Sequence, residues 1–405
     1  MTAPGETSEA ASGDAGDPRG GEVIPRLAFI GIFGGLFCGY VGLTAAIPVL
    51  PVFVRERFGA TGFTVGLVVT ATALTALLVR PVAGHLADRY GHRRVMQAGA
   101  LAVAAGGALY FLPLGLPGLV AVRLLLGVGE ASLFTAGAVW TVSLAPHHRR
   151  GQLIGLYGVS MWGGISAGTF LGAALLPLGY GAVWALSAAA PLVALALVSA
   201  VRTALPAGPS GGGGGLHALL PRPAVLPGVA LGLASAGYAG LAAFVVLHLQ
   251  ARGVHAGVVV LSCFSAVYAG TRLFIGHLPD RFGPRRVTAW SGAGEAVGLL
   301  IIAVAPNLPV AVLGSVVMGV GFSLLHPSLA LMVMNRAGPS EQGAAIGAYT
   351  SFWDLGVSVW GPVTGLAATA LGYPAVFVVG AVCAAAAVSV ALCVRRPDAR
   401  PAAVN

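Results

Sequence analysis

The sequence predicts an all-α membrane protein: twelve transmembrane helices in two pseudo-symmetric six-helix bundles. Three observations predict it. The stretch from Arg80 to Val95, RPVAGHLADRYGHRRV, recurs 192 residues later as RLFIGHLPDRFGPRRV, from Arg272 to Val287, with ten of sixteen positions identical. A chain with so few charges does not repeat such a segment by chance, so two homologous halves are expected. Of the 405 residues, 57% are hydrophobic and only 9% are charged, whereas a soluble protein carries about 25% charged residues. Apolar runs of about 18 residues or more recur along the whole length, each enough to cross a hydrocarbon core of about 30 Å. Finally, the arginines fall in short clusters between those runs.

The net charge of +9 comes from 22 arginines and no lysine. Its confinement to short loops argues against a nucleic-acid partner and for a lipid bilayer. The four cysteines, Cys38, Cys263, Cys383 and Cys393, lie in apolar runs at no metal-ligand spacing and read as packed small residues. No cluster of His, Cys, Asp and Glu forms a metal site. No phosphate-binding glycine loop is present, and no nucleophile stands at a convincing spacing from a base. The chain is therefore not expected to be an enzyme, and no cofactor is expected.

Residues 1–26 are rich in Gly, Ala, Ser and acid and read as a disordered cytoplasmic tail without the basic-then-apolar pattern of a signal peptide. The spans follow at roughly 27–53, 63–83, 96–116, 118–143, 152–177 and 180–202, making a first bundle over 27–202. Residues 203–224, with PSGGGGG at their centre, read as a flexible cytoplasmic linker. The second bundle, 225–394, holds spans at roughly 225–250, 256–277, 287–306, 308–335, 343–368 and 372–394, and 395–405 form a cytoplasmic tail. With both termini inside, sixteen arginines face the cytoplasm and three (Arg55, Arg57, Arg252) face out, while Arg80, Arg123 and Arg272 lie within spans. That bias follows the positive-inside rule. The repeat recurs in GVG at Gly127–Gly129 and Gly319–Gly321, again 192 apart. GVSMWG at Gly158–Gly163 returns as GVSVWG at Gly356–Gly361, an offset of 198 that implies an insertion of about one and a half turns in the second half.

The loop Gly84-His85-Leu86-Ala87-Asp88-Arg89-Tyr90-Gly91-His92-Arg93-Arg94 resembles the signature loop between helices 2 and 3 of the major facilitator superfamily. Its second copy carries Gly276, Asp280, Arg281, Gly283 and Arg285. Glycine permits tight turns and close helix approach. An acid at the membrane surface can accept from a helix N-terminus or pair with arginine. The resemblance implies that Asp88 docks on the start of helix 11, near Gly343, and by pseudo-symmetry that Asp280 docks on the start of helix 5, near Gly151. Those contacts would close the cytoplasmic side. Arg94 and Arg286 need do no more than set topology.

Arg123 opens RLLLGVGEAS in helix 4, which resembles the family's second motif. Glu130 lies two turns along the same face and is a candidate proton carrier, or else a neutral packing acid. Its repeat-equivalent is Phe322, so this chemistry belongs to one half. Helix 5 carries Gly164, Gly168 and Gly172, close to the GxxxGPxxGG pattern of proton-coupled exporters, with Thr169 in place of proline and Ala173 in place of the last glycine. Small residues at that spacing also serve plain helix packing. Asp354 in helix 11 is the second candidate proton site, with Arg272 of helix 8 as a plausible partner. Arg80 and Arg272 are repeat equivalents that could instead snorkel to the interface. Glu295 in helix 9 is also intramembrane, and a structural role is expected for it.

The family fold implies a cavity lined by helices 1, 4, 7 and 10, so Tyr40, Phe134, Tyr238, His326, Tyr349 and Trp353 are candidate substrate-binding groups. His326 precedes Pro327, where a kink would expose carbonyls. The second half, with GVGFSLLHPSLALMVMNRAGPSEQGAAIGAYTSFWDLG, is similar to bacterial arabinose-efflux-like permeases, a branch that includes opine-metallophore exporters. The resemblance implies a monomeric, proton-coupled exporter of a small organic molecule in a bacterial cytoplasmic membrane. A proton-coupled importer of a sugar or organic acid, or a non-transporting sensor, are the alternatives.

Overall fold

The computed structural model describes residues 26–144, 150–201, 221–254, 256–338 and 342–394. Helix α1 (Leu27–Thr44) contains one wide π-type stretch at Ile30–Gly34 and continues, after a turn, into a short helix at Leu50–Phe58. The first half goes on with α2 (Gly62–Tyr90), α3 (His92–Leu109), α4 (Gly115–Leu144), α5 (Arg150–Leu175) and α6 (Tyr180–Ala200). The second half comprises α7 (Arg222–Gln250), α8 (Gly257–Ile275), α9 (Pro284–Val304), α10 (Leu308–Met334), α11 (Gln342–Leu371) and α12 (Tyr373–Leu392). Ten of the twelve are long and apolar enough to cross a membrane. The other two are α3, which opens on His92, Arg93 and Arg94, and α11, which polar residues and glycines interrupt.

Each half packs in the same pattern. In the first, α1 lies against α5 and α6, α4 against α2 and α3, and α3 against α6. In the second, α7 lies against α11 and α12, α10 against α8 and α9, and α9 against α12. The GVG repeats serve this packing. Gly127 abuts the backbone of α2 at Thr72 and Gly319 that of α8 at Phe264, while Gly129 faces α3 and Gly321 faces α9. The outer surface stays apolar, with Phe274, Leu371 and Val304 each more than 70% exposed. A patch of that kind is costly in water and suits a hydrocarbon solvent.

The two signature loops turn alike at their glycines: Gly91 has φ 92° and ψ 141°, Gly283 φ 85° and ψ 142°. Side-chain-bearing residues rarely adopt that backbone. The segments before the turns differ. Helix α2 runs unbroken to Tyr90, whereas α8 stops at Ile275 and a separate five-residue helix, Leu278–Phe282, follows. Pro279 has no N–H to bond four residues back, and its first-half counterpart is Ala87.

Several boundaries move from their expected places. Helix α7 begins at Arg222, inside the expected linker, because Pro223 is accommodated in its first turn. Helix α3 begins at His92 rather than near 96. The first tail and most of the linker lie outside the described residues. The 198-residue offset is also corrected. Tyr157 Oη donates to the Phe134 carbonyl at 3.0 Å, and Tyr349 Oη to the His326 carbonyl at 2.9 Å. Both members of these pairs are 192 apart, as are Gly164 and Gly356, which each abut the first helix of their own half. No insertion is present, and the GVSMWG/GVSVWG match does not align equivalent positions.

Candidate functional site

The halves meet along two helix pairs, α2 with α11 and α5 with α8. At the end away from the signature loops they are zipped. A Cβ on Gly62 would stand 2.5 Å from the Gly365 carbonyl, and one on Gly66 2.0 Å from the Gly361 carbonyl. Ser166 Oγ donates to the Ser265 carbonyl at 2.5 Å, and Arg55 of the first half donates to Tyr373 Oη of the second. Toward the loops the approach relaxes, and Gly270 and Gly347 have nothing within 4 Å of a Cβ position.

Between the halves lies a cavity of about 120 Å³, room for about four water molecules at liquid density. Its wall includes Tyr40, Phe134, Tyr238, His326 and Trp353 among the expected groups. Tyr349 is corrected: it is fully buried, does not line the cavity, and holds α10 at the His326 carbonyl beside Pro327. An aromatic cluster joins three cavity residues from both halves. Trp162 of α5 lies 6.2 Å from both Tyr238 of α7 and Trp353 of α11, and 3.8 Å from Tyr268 of α8. Sequence reasoning did not select Trp162 or Tyr268; the only signal was an aromatic mid-span on a helix facing the other half.

Asp354 is paired with Arg80, not with Arg272. Arg80 Nε and Nη2 grip both carboxylate oxygens, the second at 3.1 Å, and the guanidinium lies over the Phe134 ring, 5.0 Å from its centroid. Arg272 donates instead to the Ser323 carbonyl of α10, at 3.3 Å, and its Nη2 lies 4.0 Å from the Cβ position of Gly158 on α5. Helix topology explains the exchange. Helices α2 and α11 face each other, so Arg80 reaches across to the opposite half, whereas Arg272 on α8 faces α5 and keeps its hydrogen bond within its own half. Only α11 offers a carboxylate there; the α5 counterpart of Asp354 is Trp162.

Glu130 lines the cavity within electrostatic range of Arg80, Arg123, Asp354 and Tyr40. Arg123, 2% exposed, is spent on α2. It donates to the Val68 and Val69 carbonyls at 3.0 and 2.5 Å and to Thr72 Oγ1 at 3.3 Å. These acceptors satisfy a guanidinium that would otherwise be costly in the membrane. The α5 glycines Gly164 and Gly168 abut α1, and Gly172 abuts Ala45 just past its end, all within their own half.

The loop arginines divide by role. Arg93 donates to the Ser199 carbonyl at 2.5 Å, and its equivalent Arg285 to the Leu392 and Val394 carbonyls at 2.5 and 3.0 Å. Each of these members of the expected gating loops thus ties the end of the sixth helix of its own half. The cause is electrostatic: the last carbonyls of a helix lack partners and favour a cation. Arg89 and Arg281 lie over their neighbours Tyr90 and Phe282. Asp88 is half-buried near His92, and Asp280 is exposed. Their expected docking points, near Gly343 and Gly151, adjoin residues 339–341 and 145–149, outside the described residues.

The chain matches the Major Facilitator Superfamily over residues 32–260 and 228–405, and it belongs to that family. It is 31% identical over 397 residues to an uncharacterized MFS-type transporter of Burkholderia mallei, covering 93% of this chain and 95% of the relative. A Salmonella typhimurium MFS-type transporter is 30% identical over 369 residues, covering 87% and 92%. In fold it is similar to the nucleoside transporter NupG (TM-score 0.75, 13% identity, 91% of this chain and 100% of that one). It is also similar to a bacterial homolog of the human lysosomal transporter Spinster, solved inward-facing and unoccupied (TM-score 0.72, 18% identity, 91% and 95%). A family of membrane transporters, and these transporter folds, make the chain a multi-pass membrane protein of the secondary-transporter type.

Proposed function

We propose that this transporter exports a small organic molecule, drug-like or a metallophore, in exchange for protons. The observation that carries the reading is the Arg80–Asp354 pair, which bridges the two halves at the wall of the cavity with Glu130 close by. An ionised Asp354 holds Arg80 and with it the α2–α11 contact. A protonated Asp354 releases that hold, so proton occupancy biases one arrangement of the halves over the other. Substrate and proton compete for the same groups. Aromatic faces beside two acids and two arginines suit an amphipathic solute with polar ends.

The positive-inside bias puts the signature loops in the cytoplasm of a bacterial inner membrane, with both termini. The zipped end then faces outward and the cavity belongs to an inward-facing state. Asp88 and Asp280, docking on the starts of α11 and α5, would secure the opposite state. Rocking of one half against the other completes the cycle.

The test is substrate-driven proton movement in proteoliposomes, screened over dyes, antibiotics, amino-acid chelators and sugars. Proton uptake into the compartment losing substrate supports exchange. Proton and solute moving together would establish uptake symport instead. Solute flux indifferent to a pH gradient would remove proton coupling.

A further inference from the structure

Glu295, eleven residues into α9, is completely buried, and neither carboxylate oxygen has a hydrogen-bond partner among the described residues. It lies apart from the central cavity, inside the second half. Helix α7 presents Gly237, whose Cβ position is 2.6 Å from Oε1; α10 presents Met318 and the backbone at Gly321; α12 presents Cys383. No charged side chain lies within electrostatic range among the described residues. Tyr238, next to Gly237 on α7, lines the central cavity, and His248 of α7 and Arg252 just past its end bond to carbonyls at the far end of α9, at Ile302, Ala303 and Ala305.

A bare carboxylate is not sustained in such a place, and it must be neutralised by a cation or a proton. A cation needs room and several oxygen ligands. Here the backbones close in at Gly237, Gly321 and Gly380, and the facing groups are apolar or sulfur. A proton alone fits.

Two hydroxyls mark a route to it. Ser291 and Thr288 stand four and seven residues before Glu295, on the same face, and both are buried with unpartnered oxygens. A buried helical hydroxyl commonly bonds back to the carbonyl four residues earlier, as Thr44, Thr70, Ser132 and Ser328 do here. Thr288 and Ser291 do not. They form a column with steps of about one helical turn, 5.4 Å, running toward the loop end of α9. We propose that Glu295 is a second proton-binding site, in the second half and loaded from the loop end of α9 through Thr288 and Ser291. Each hydroxyl accepts a proton on its oxygen and passes its own on, and ends unchanged. The carboxylate gains the proton and becomes a neutral acid. Gly237, against this acid, precedes the cavity residue Tyr238, so a shift of α7 during transport changes the space left to the protonated form.

Infrared difference spectroscopy on the full-length protein in lipid reads this directly. At neutral pH a protonated-carboxyl band should be present, persist in Glu130→Gln and Asp354→Asn, and vanish in Glu295→Gln. If Glu295→Gln does not fold, Glu130→Gln protein labelled with carbon-13 glutamate serves instead, since Glu295 is then the remaining glutamate within a span, and the band should shift with the label. Ser291→Ala with Thr288→Val should keep the band but slow its deuteration about tenfold or more. No band in folded wild-type protein, or one insensitive to both the Glu295 substitution and the glutamate label, overturns the site. A band whose deuteration ignores the hydroxyl substitutions overturns the route.

Discussion

Arg80 and Asp354, 274 residues apart, form a two-point ion pair that joins the halves of the molecule from within its central cavity. Asp354 is 1% exposed and Arg80 14%. Removing one member strands the other in low dielectric, at a cost of about 3–5 kcal/mol for a fully buried pair. Arg80 borders the cavity, so the lower end of that range is expected. Asp354→Ala should therefore lower thermal stability sharply in detergent, while Arg80→Met combined with Asp354→Leu should restore most of it. Equal stability of the single and double variants would remove the pair as a structural link.

Glu130 carries the second acid of the cavity, and its substitution separates proton coupling from folding. Glu130→Gln keeps shape and hydrogen-bonding capacity, so the protein should insert and bind as before. Solute flux should lose its response to an imposed pH gradient. If flux in this variant still follows the gradient while Asp354→Asn abolishes the response, the coupling proton belongs to α11 alone.

Arg93 and Arg285 make the same contact in each half, tying the last carbonyls of α6 and α12. A hydrogen bond to a charged group contributes about 1.5–3 kcal/mol, less where it is partly solvated. Arg93→Ala and Arg285→Ala should each destabilise their own half, seen as faster amide exchange at the end of α6 or α12 respectively. Transport by the surviving folded protein should persist. An abolished flux with unchanged exchange would return these residues to the gate.

The repeat, the apolar spans and the acids in mid-span were all legible in the sequence because each is a local property of composition or spacing. Pairings across the halves were not. Arg80 and Arg272 are equivalent in sequence, and nothing in an apolar helix says which neighbour its one arginine will meet. That is decided by α2 facing α11 and α8 facing α5. Tyr349 failed for a related reason: an aromatic side chain reads alike whether it lines a cavity or clamps a neighbouring helix beside a proline. The GVSMWG repeat misled because small and aromatic residues recur at helical spacing without structural equivalence. Conversely, the separate helix at Leu278–Phe282 was readable in Pro279.

The glycine contact between α2 and α11 bears on which state the protein occupies. Gly66 and Gly361 meet backbone to backbone, and Gly361 also receives Thr70. A methyl group on Gly66 would fall 2.0 Å from the Gly361 carbonyl, with no flexible side chain to yield. The helices must then part, and they can do so only at the end away from the signature loops. The Arg55–Tyr373 contact lies at that same end and would break with it. Gly66→Ala should thus depopulate the arrangement described here without disturbing either half internally. Spin labels on Arg57 and Leu371, in a cysteine-free background, should report a longer distance in the variant than in the parent protein. Cysteines placed at Gly270 and Gly347, where the structure has space, should become less reactive as the loop end closes. An unchanged label distance in folded Gly66→Ala protein would mean that the α2–α11 contact yields locally and does not govern the balance between states.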